Sequence, residues 1–205
     1  MLWRTPSSLR GRATPTGFIV PCQPMLSRVV PAGSGWIHEL KHDGFRILAR
    51  RDGGRVRLWS RSARDHGAAF TAIASALGRL AGDAVIDGEA VAHSPAGLPD
   101  FHALLSRAGG AAACLYAFDL LFLDGKDLRP LPLSERRARL AALLDGAPAA
   151  LKFSEHLEGG HGEAMFREAS RMNLEGIVSK RLDRPYKSGR CPHWVKVKNP
   201  GYRRG

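Results

Sequence analysis

The chain has 205 residues, 44% hydrophobic and 24% charged, proportions of an ordinary globule with enough apolar matter for one core, and no apolar run or N-terminal apolar segment long enough for a membrane span or a secretory leader. Its net charge of +12 is concentrated late, where Arg184, Lys187, Arg190, Lys196, Lys198, Arg203 and Arg204 follow Asp183 with no further acid; such a surface is either a solvated basic face or a site for a polyanion, nucleic acid or nucleotide. Cys22, Cys114 and Cys191 are odd in number and lack C-x-x-C spacing, which argues against a disulfide framework or a cysteine-rich zinc site and fits a reducing, cytoplasmic setting.

Residues 1–17 carry Arg4, Arg10 and Arg12 among Ser, Thr, Pro and Gly with no acid, and read as a flexible basic arm, or as a composition that also resembles an organelle transit peptide. Residues 36–40 alternate as a strand, Asp43-Gly44 makes a turn, and the apolar stretch from Phe45 to Arg51 makes a second strand closed by Gly53-Gly54. Lys41 thus stands where a strand ends and the chain reverses, a place that holds a side chain firmly yet lets it reach a ligand. Further strands are expected over 55–60, 84–92, 114–123, 149–155, 176–181 and 194–198, with turns at Pro95–Gly97 and Asp124-Gly125. Three helices are expected. One covers 68–80 with Phe70, Ile73, Leu77 and Leu80 on one face. The second is capped by Ser134 and runs to about 144, with Leu140, Leu143 and Leu144 inward. The third covers 163–172 with Met165, Ala169 and Met172 at helical spacing. Strands joined by short turns predict an α+β fold of mainly antiparallel sheets with helices packed outside.

Several charges fall inside these strands, where burial is costly. Asp87-Gly88-Glu89 interrupts an apolar run, its glycine permitting close backbone approach, and Glu175-Gly176-Ile177-Val178-Ser179-Lys180 repeats the pattern. In Trp194-Val195-Lys196-Val197-Lys198 the period of two puts Trp194 and both lysines on one face. Two lysines so placed repel unless an anion lies between them, and a phosphate is the natural one.

These segments, with Lys41-His-Asp-Gly-Phe-Arg46, Ser60-Arg61, Leu115-Tyr-Ala-Phe-Asp-Leu-Leu-Phe-Leu-Asp-Gly125 and Tyr186-Lys-Ser-Gly-Arg190, resemble in order the adenylation domain of ATP-dependent DNA ligases, most closely the bacterial end-joining ligase D type. The resemblance covers residues 18–200, leaves 201–205 as a tail, and implies a nucleotidyltransferase fold of two sheets with an ATP groove between them. It further implies Lys41 as the nucleophile that takes AMP from ATP, and Glu39 as reader of the adenine edge between Phe118 and Val178. Glu89 would hold the ribose hydroxyls, Arg46 and Arg61 the nucleotide and the DNA 5′-phosphate, and Lys196 and Lys198 the α-phosphate. Asp43 and Glu175 would position magnesium or manganese through water, and nicked or broken double-stranded DNA would be the partner. A free lysine has a pKa of about 10.4; Arg46, Lys196, Lys198 and a divalent ion near Lys41 would lower it while stabilising charge on the phosphorus oxygens. Messenger-RNA capping and RNA-ligase enzymes share this lysine chemistry, but the 175–181 and 186–198 segments resemble the bacterial DNA enzymes more.

Two other readings compete. His38-Glu39-Leu40-Lys41-His42 spells H-E-x-x-H, the zinc-protease signature, which needs a helix to present both histidines; Gly33, Gly35 and Asp43-Gly44 leave barely two turns for one. In the ligase family an OB-fold domain follows the last basic strand and closes over ATP and DNA. The sequence stops at Gly205 without it, which makes a lid-less module that binds nicks but seals poorly an alternative, unless a partner protein supplies that fold or an end-joining function. After Arg61, Ser62-Ala-Arg-Asp-His66 replaces the Gly and Trp usual for this ligase type, so a different turn is expected there.

Overall fold

The computed structural model describes residues 17–204; all but the last residue of the expected basic arm lies outside them. Two sheets pack face to face. The larger is built on β3 (Phe45–Asp52), β4 (Arg55–Ser60), β5 (Ala84–Val91) and β6 (Cys114–Leu123), with the short β7 (Lys126–Asp127) and β8 (Leu151–Phe153) both pairing with β6. The smaller runs β1-β11-β10-β2-β9, from β1 (Cys22–Ser27), β2 (Trp36–Leu40), β9 (Leu157–Glu158), β10 (Gly176–Arg181) and β11 (Gly189–Lys198). The ladders are antiparallel except β1 with β11 and β6 with β8, so the α+β expectation holds with two parallel pairs added.

Alternation along the strands sorts the residues into layers. Ile47 and Ala49 of β3 join Leu58, Ile86 and Leu115 beneath α1 (Thr71–Gly78), α2 (Phe101–Leu105) and α4 (Leu133–Leu144), which contribute Ile73, Leu77, Leu104 and Leu140. Leu48 faces the other way and meets Val85, Phe118 and Leu121 from its own sheet and Ile37, Cys191 and Trp194 from the smaller one. Outside the smaller sheet, Ile177 and Val197 pack on Ala169 of α5 (Gly162–Arg171). The apolar face read for residues 68–80 is buried as expected, Phe70, Ile73, Leu77 and Leu80 all included.

Four local expectations change. Ser134 does not cap α4: Pro132 stands at the cap position, and the N–H groups of Leu133 and Ser134 donate to the carbonyls of Arg184 (3.1 Å) and Leu182 (3.0 Å). A neighbouring loop thus satisfies donors that a side chain would otherwise cap. Met172 lies just past the end of α5 and is exposed rather than inward. The α-helices number five among the described residues, because α2 and the short α3 (Arg107–Ala111) occupy a stretch without a clear 3.6-residue pattern, started by Asp100 and Ser106 side-chain caps. Strand β1 escaped the sequence reading because Pro24 interrupts it, and the register with β11 shifts between Pro24 and Met25.

Candidate active site: the cleft around Lys41

The loop from Lys41 to Gly44 is the joint between β2 of the smaller sheet and β3 of the larger, and it opens onto a cleft of about 570 Å³ between the two sheets. Strand register builds both walls. On the smaller sheet Glu39, Val178 and Lys196 lie opposite one another across β2, β10 and β11; on the larger, Arg46, Glu89 and Tyr116 do the same across β3, β5 and β6. Gly88, between the Asp87 and Glu89 carboxylates, sits so close to β6 that a Cβ would come within 2.8 Å of the Tyr116 carbonyl and the Leu115 side chain.

The Lys41 amine donates to one oxygen of Glu175, and Lys198 bonds the other at 3.0 Å. The Lys41 N–H donates to the Gly176 carbonyl at 2.9 Å. Gly176 has φ +134°, and a Cβ there would run into the Val197 carbonyl, so only glycine lets β10 begin where it sets Glu175 beside Lys41. Of the two lysines expected to share an anion, Lys196 and Lys198, the second thus has the protein's own Glu175 carboxylate, which it shares with Lys41. Lys196 has no hydrogen-bond or ion-pair partner among the described residues, and the crowding of cations registers on it: burial, then Lys41, Lys198 and Arg61, push its pKa below the ordinary lysine value.

Glu39 is buried and fully engaged, accepting from Arg137 (2.6 Å), Lys180 (2.7 Å) and Ser154 (3.2 Å). Burial, opposed by Glu39 and reinforced by Arg137, pushes Lys180 down to about 8. Arg46 clamps Asp87 through two hydrogen bonds of 2.5 and 2.7 Å, and Asp87 also accepts from the Tyr186 hydroxyl at 2.6 Å. Burial alone would weaken the Arg46 guanidinium as a base, but Asp87 beside it raises its pKa above the ordinary value. Phe118 is covered by two cations, Arg46 at 4.4 Å and Lys180 at 4.0 Å from the ring centre. Glu89, by contrast, faces the cleft without a hydrogen-bond partner among the described residues. Burial raises its carboxyl to about 7 against the lowering pull of Arg46 and Lys41.

Of the residues expected at the site, Glu39, Lys41, Arg46, Arg61, Glu89, Phe118, Val178 and Lys196 line the cleft. Lys198 and Glu175 reach it through the Lys41 ion pair. Asp43 points away from it: its carboxylate accepts from the Tyr202 hydroxyl (2.8 Å) and from the Arg204 guanidinium at both oxygens. The two carboxylates expected to position magnesium are thus both committed to cations, and no group of three or more His, Cys, Asp or Glu side chains able to hold a metal occurs among the described residues. Magnesium usually takes one or two carboxylates and completes its shell with water and substrate phosphates, so Glu175 would serve it on releasing Lys41 or Lys198, and Asp43 on releasing Arg204.

The H-E-x-x-H reading also fails on geometry. His38 is buried against Ser179 (2.8 Å) and the Gly159 carbonyl (3.0 Å), whereas His42 lies beyond the end of β2, stacked on Tyr116 in the cleft. The two rings share neither a helix nor a face. After Arg61, Ala63 takes φ +58°, a left-handed conformation that glycine adopts more easily.

Arg137, Lys180 and Trp194 are site residues that the sequence reading did not assign. Arg137 reaches from α4 through to the cleft floor, binding Glu39, the Phe118 carbonyl (3.1 Å) and the Ser154 carbonyl (2.6 Å). The signal was present, since Arg136 and Arg137 fall at helical spacing between Leu133 and Leu140, where the buried face must lie.

The ATP dependent DNA ligase domain family matches residues 22–198. The multifunctional non-homologous end joining protein LigD of Pseudomonas aeruginosa is 37% identical over 193 residues, covering 92% of this chain and 23% of its own length. LigD of Mycobacterium tuberculosis, a multifunctional non-homologous end joining DNA repair protein, is 38% identical over 168 residues, or 81% of this chain and 22% of its own. The chain therefore spans less than a quarter of the length of these relatives. The crystal structure of the ligase domain of M. tuberculosis LigD superposes with a TM-score of 0.75 at 33% identity over 88% of this chain and 60% of that one. A mycobacterial DNA ligase D complexed with ATP and MES superposes with a TM-score of 0.74 over the same shares. With the family's match running from β1 to the end of β11, around a lysine lodged between two sheets, the chain belongs to the ATP-dependent DNA ligase domain family.

Proposed function

We propose that this cleft carries out the covalent nucleotidyl transfer of a DNA ligase that works in the cytoplasm on nicks or breaks in duplex DNA. The Lys41 nitrogen attacks the α-phosphorus of ATP; a phosphorus–nitrogen bond forms as the bond to the pyrophosphate oxygen breaks. Glu175, already accepting from that amine, is placed to take its proton. The AMP group then passes to a DNA 5′-phosphate, and a 3′-hydroxyl displaces it to join the strands. The observation that carries this reading is which charges are left over. The buried charges of the walls are paired off, while half-buried Lys196 and Glu89, on opposite walls, are not. A cation free to meet a phosphate and a carboxyl free to meet sugar hydroxyls are what a nucleotide needs. Exposed Arg61 adds a second cation, and Val178 and Phe118 supply apolar surface for the base. Glu39, saturated by Arg137 and Lys180, acts by fixing the floor.

Incubation with α-labelled ATP and magnesium tests the proposal. A labelled protein is expected, and Lys41→Ala and Lys41→Arg both lose the label, since neither offers a nucleophilic amine. Label surviving in either variant places the nucleophile elsewhere. Sealing of pre-adenylated nicked DNA by unlabelled protein separates a core limited at its first step from one that only binds.

A further inference from the structure

The Lys41–Gly44 loop has no strand pairing beyond the single bond from the Lys41 N–H, yet it must hold an amine to within a fraction of an ångström for in-line attack. What holds it from behind is the segment after β11. Asn199 donates its backbone N–H to the Glu175 carbonyl (3.0 Å) and its side-chain amide to the Leu174 carbonyl (3.1 Å). Its side-chain oxygen accepts from the Gly201 N–H (2.9 Å), and its carbonyl accepts from the Tyr202 N–H (3.2 Å), which turns the chain back toward the loop. Tyr202 and Arg204 then close on Asp43, which is only 6% exposed. The Arg204 guanidinium lies 4.0 Å over Phe101, which in turn packs on Phe45 at 5.5 Å. Burial and the adjacent Asp43 push the Tyr202 hydroxyl up to about 12, so it remains a donor at neutral pH.

We infer that residues 199–204 form a clamp that positions the reacting pair: Asn199 fixes the backbone of Glu175, while Arg204 and Tyr202 fix Asp43, two residues from Lys41. One short segment thereby grips both halves of the Lys41–Glu175 ion pair. Arg204 and Tyr202 lie outside the cleft lining, so they act on the nucleophile's placement rather than on nucleotide binding. The inference rests on Lys41 being the adenylated residue.

Single-turnover formation of the AMP adduct at varied ATP concentration tests it. Arg204→Ala is expected to lower the maximal rate about 100-fold while leaving half-saturating ATP within about twofold, because the cleft itself is untouched. Arg204→Lys recovers part of the loss, and Tyr202→Phe loses less than Arg204→Ala. Backbone amides at residues 41–44 exchange hydrogen faster in Arg204→Ala than in the unaltered chain. An unchanged maximal rate overturns the inference, and so does a fall matched by equally weaker ATP binding. Should Arg204→Ala lose its folded circular-dichroism signal, Tyr202→Phe decides by the same split. If the unaltered chain forms no adduct, the ligase reading stands or falls on sealing of pre-adenylated nicks instead; amide exchange then decides the clamp alone, faster at 41–44 keeping it and unchanged overturning it.

Discussion

Glu89 offers a titration that reports on the cleft. Burial lifts its carboxyl from 4.5 to about 7, so around neutrality it changes from a hydroxyl donor to a pure acceptor. Ribose hydroxyls need an acceptor, and ATP binding at this cleft should therefore tighten as the pH rises from about 6 to 8, a step that Glu89→Gln removes. The same shift has a consequence for stability with a definite sign. An acid whose folded pKa lies above its unfolded value is best tolerated when protonated, so its contribution is intact below about 4.5 and is lost as the pH rises through about 7. Glu89→Gln should thus gain on the unaltered chain from pH 4.5 upward, levelling near pH 8 at about 1–2 kcal/mol, less than the full shift implies because cleft water screens a half-buried group. Denaturant melts at pH 4 and pH 8 check this; an equal gap at both sinks it. Glu89 and Lys196 were legible as site residues because a charge in an alternating strand declares its face. The partners of Asp43 were not, since nothing local in Lys41-His-Asp-Gly44 encodes a contact with residues 202 and 204.

Helix α4 shows how an element can be legible in outline and hidden in its function. Its length and its leucines are readable from spacing, but its inner face also carries two arginines. Arg136 is fully buried and meets Asp119 of β6 through paired bonds of 2.7 Å, with further bonds to the Leu131 carbonyl (2.6 Å) and the Arg184 carbonyl (3.2 Å). Burial pushes the Asp119 carboxyl up, against the opposing pull of Arg136. This pair docks α4 on the larger sheet and so aims the adjacent Arg137 at Glu39 and the cleft floor. Arg136→Ala strands a buried carboxylate and should cost about 3–5 kcal/mol. Replacing both partners with apolar residues of similar volume should cost far less, because no charge is then left unpaired. Denaturant unfolding of the single and double variants measures the difference; equal losses would mean that the bond geometry, and not the stranded charge, dominates. Polar residues on a helix's inner stripe read from sequence as interruptions of the pattern, whereas here they join the helix to the site.

At the scale of the whole molecule, the two sheets meet at the Lys41–Gly44 joint and along the Leu48, Phe118 and Trp194 core, and the chain carries a net charge of +12. Arg61 and Arg190 are exposed at the cleft, with Arg184 and Lys187 exposed on the segment leading into β11. A duplex laid over the cleft with its 5′-phosphate near Lys41 would meet these four cations along its backbone. Each phosphate neutralised releases condensed counterions, so binding to nicked DNA should weaken steeply with salt. Four such contacts correspond to a loss of about 100-fold in affinity between about 50 and 200 mM monovalent salt. Arg190→Ala should weaken binding alike for every DNA sequence and shallow the log–log salt slope by about one, without changing the melting temperature, because the side chain is exposed. The discriminating measurement is the slope itself. A nearly flat salt dependence, or an Arg190→Ala slope equal to that of the unaltered chain, would move the DNA path off this face and leave the basic segment as a solvated surface.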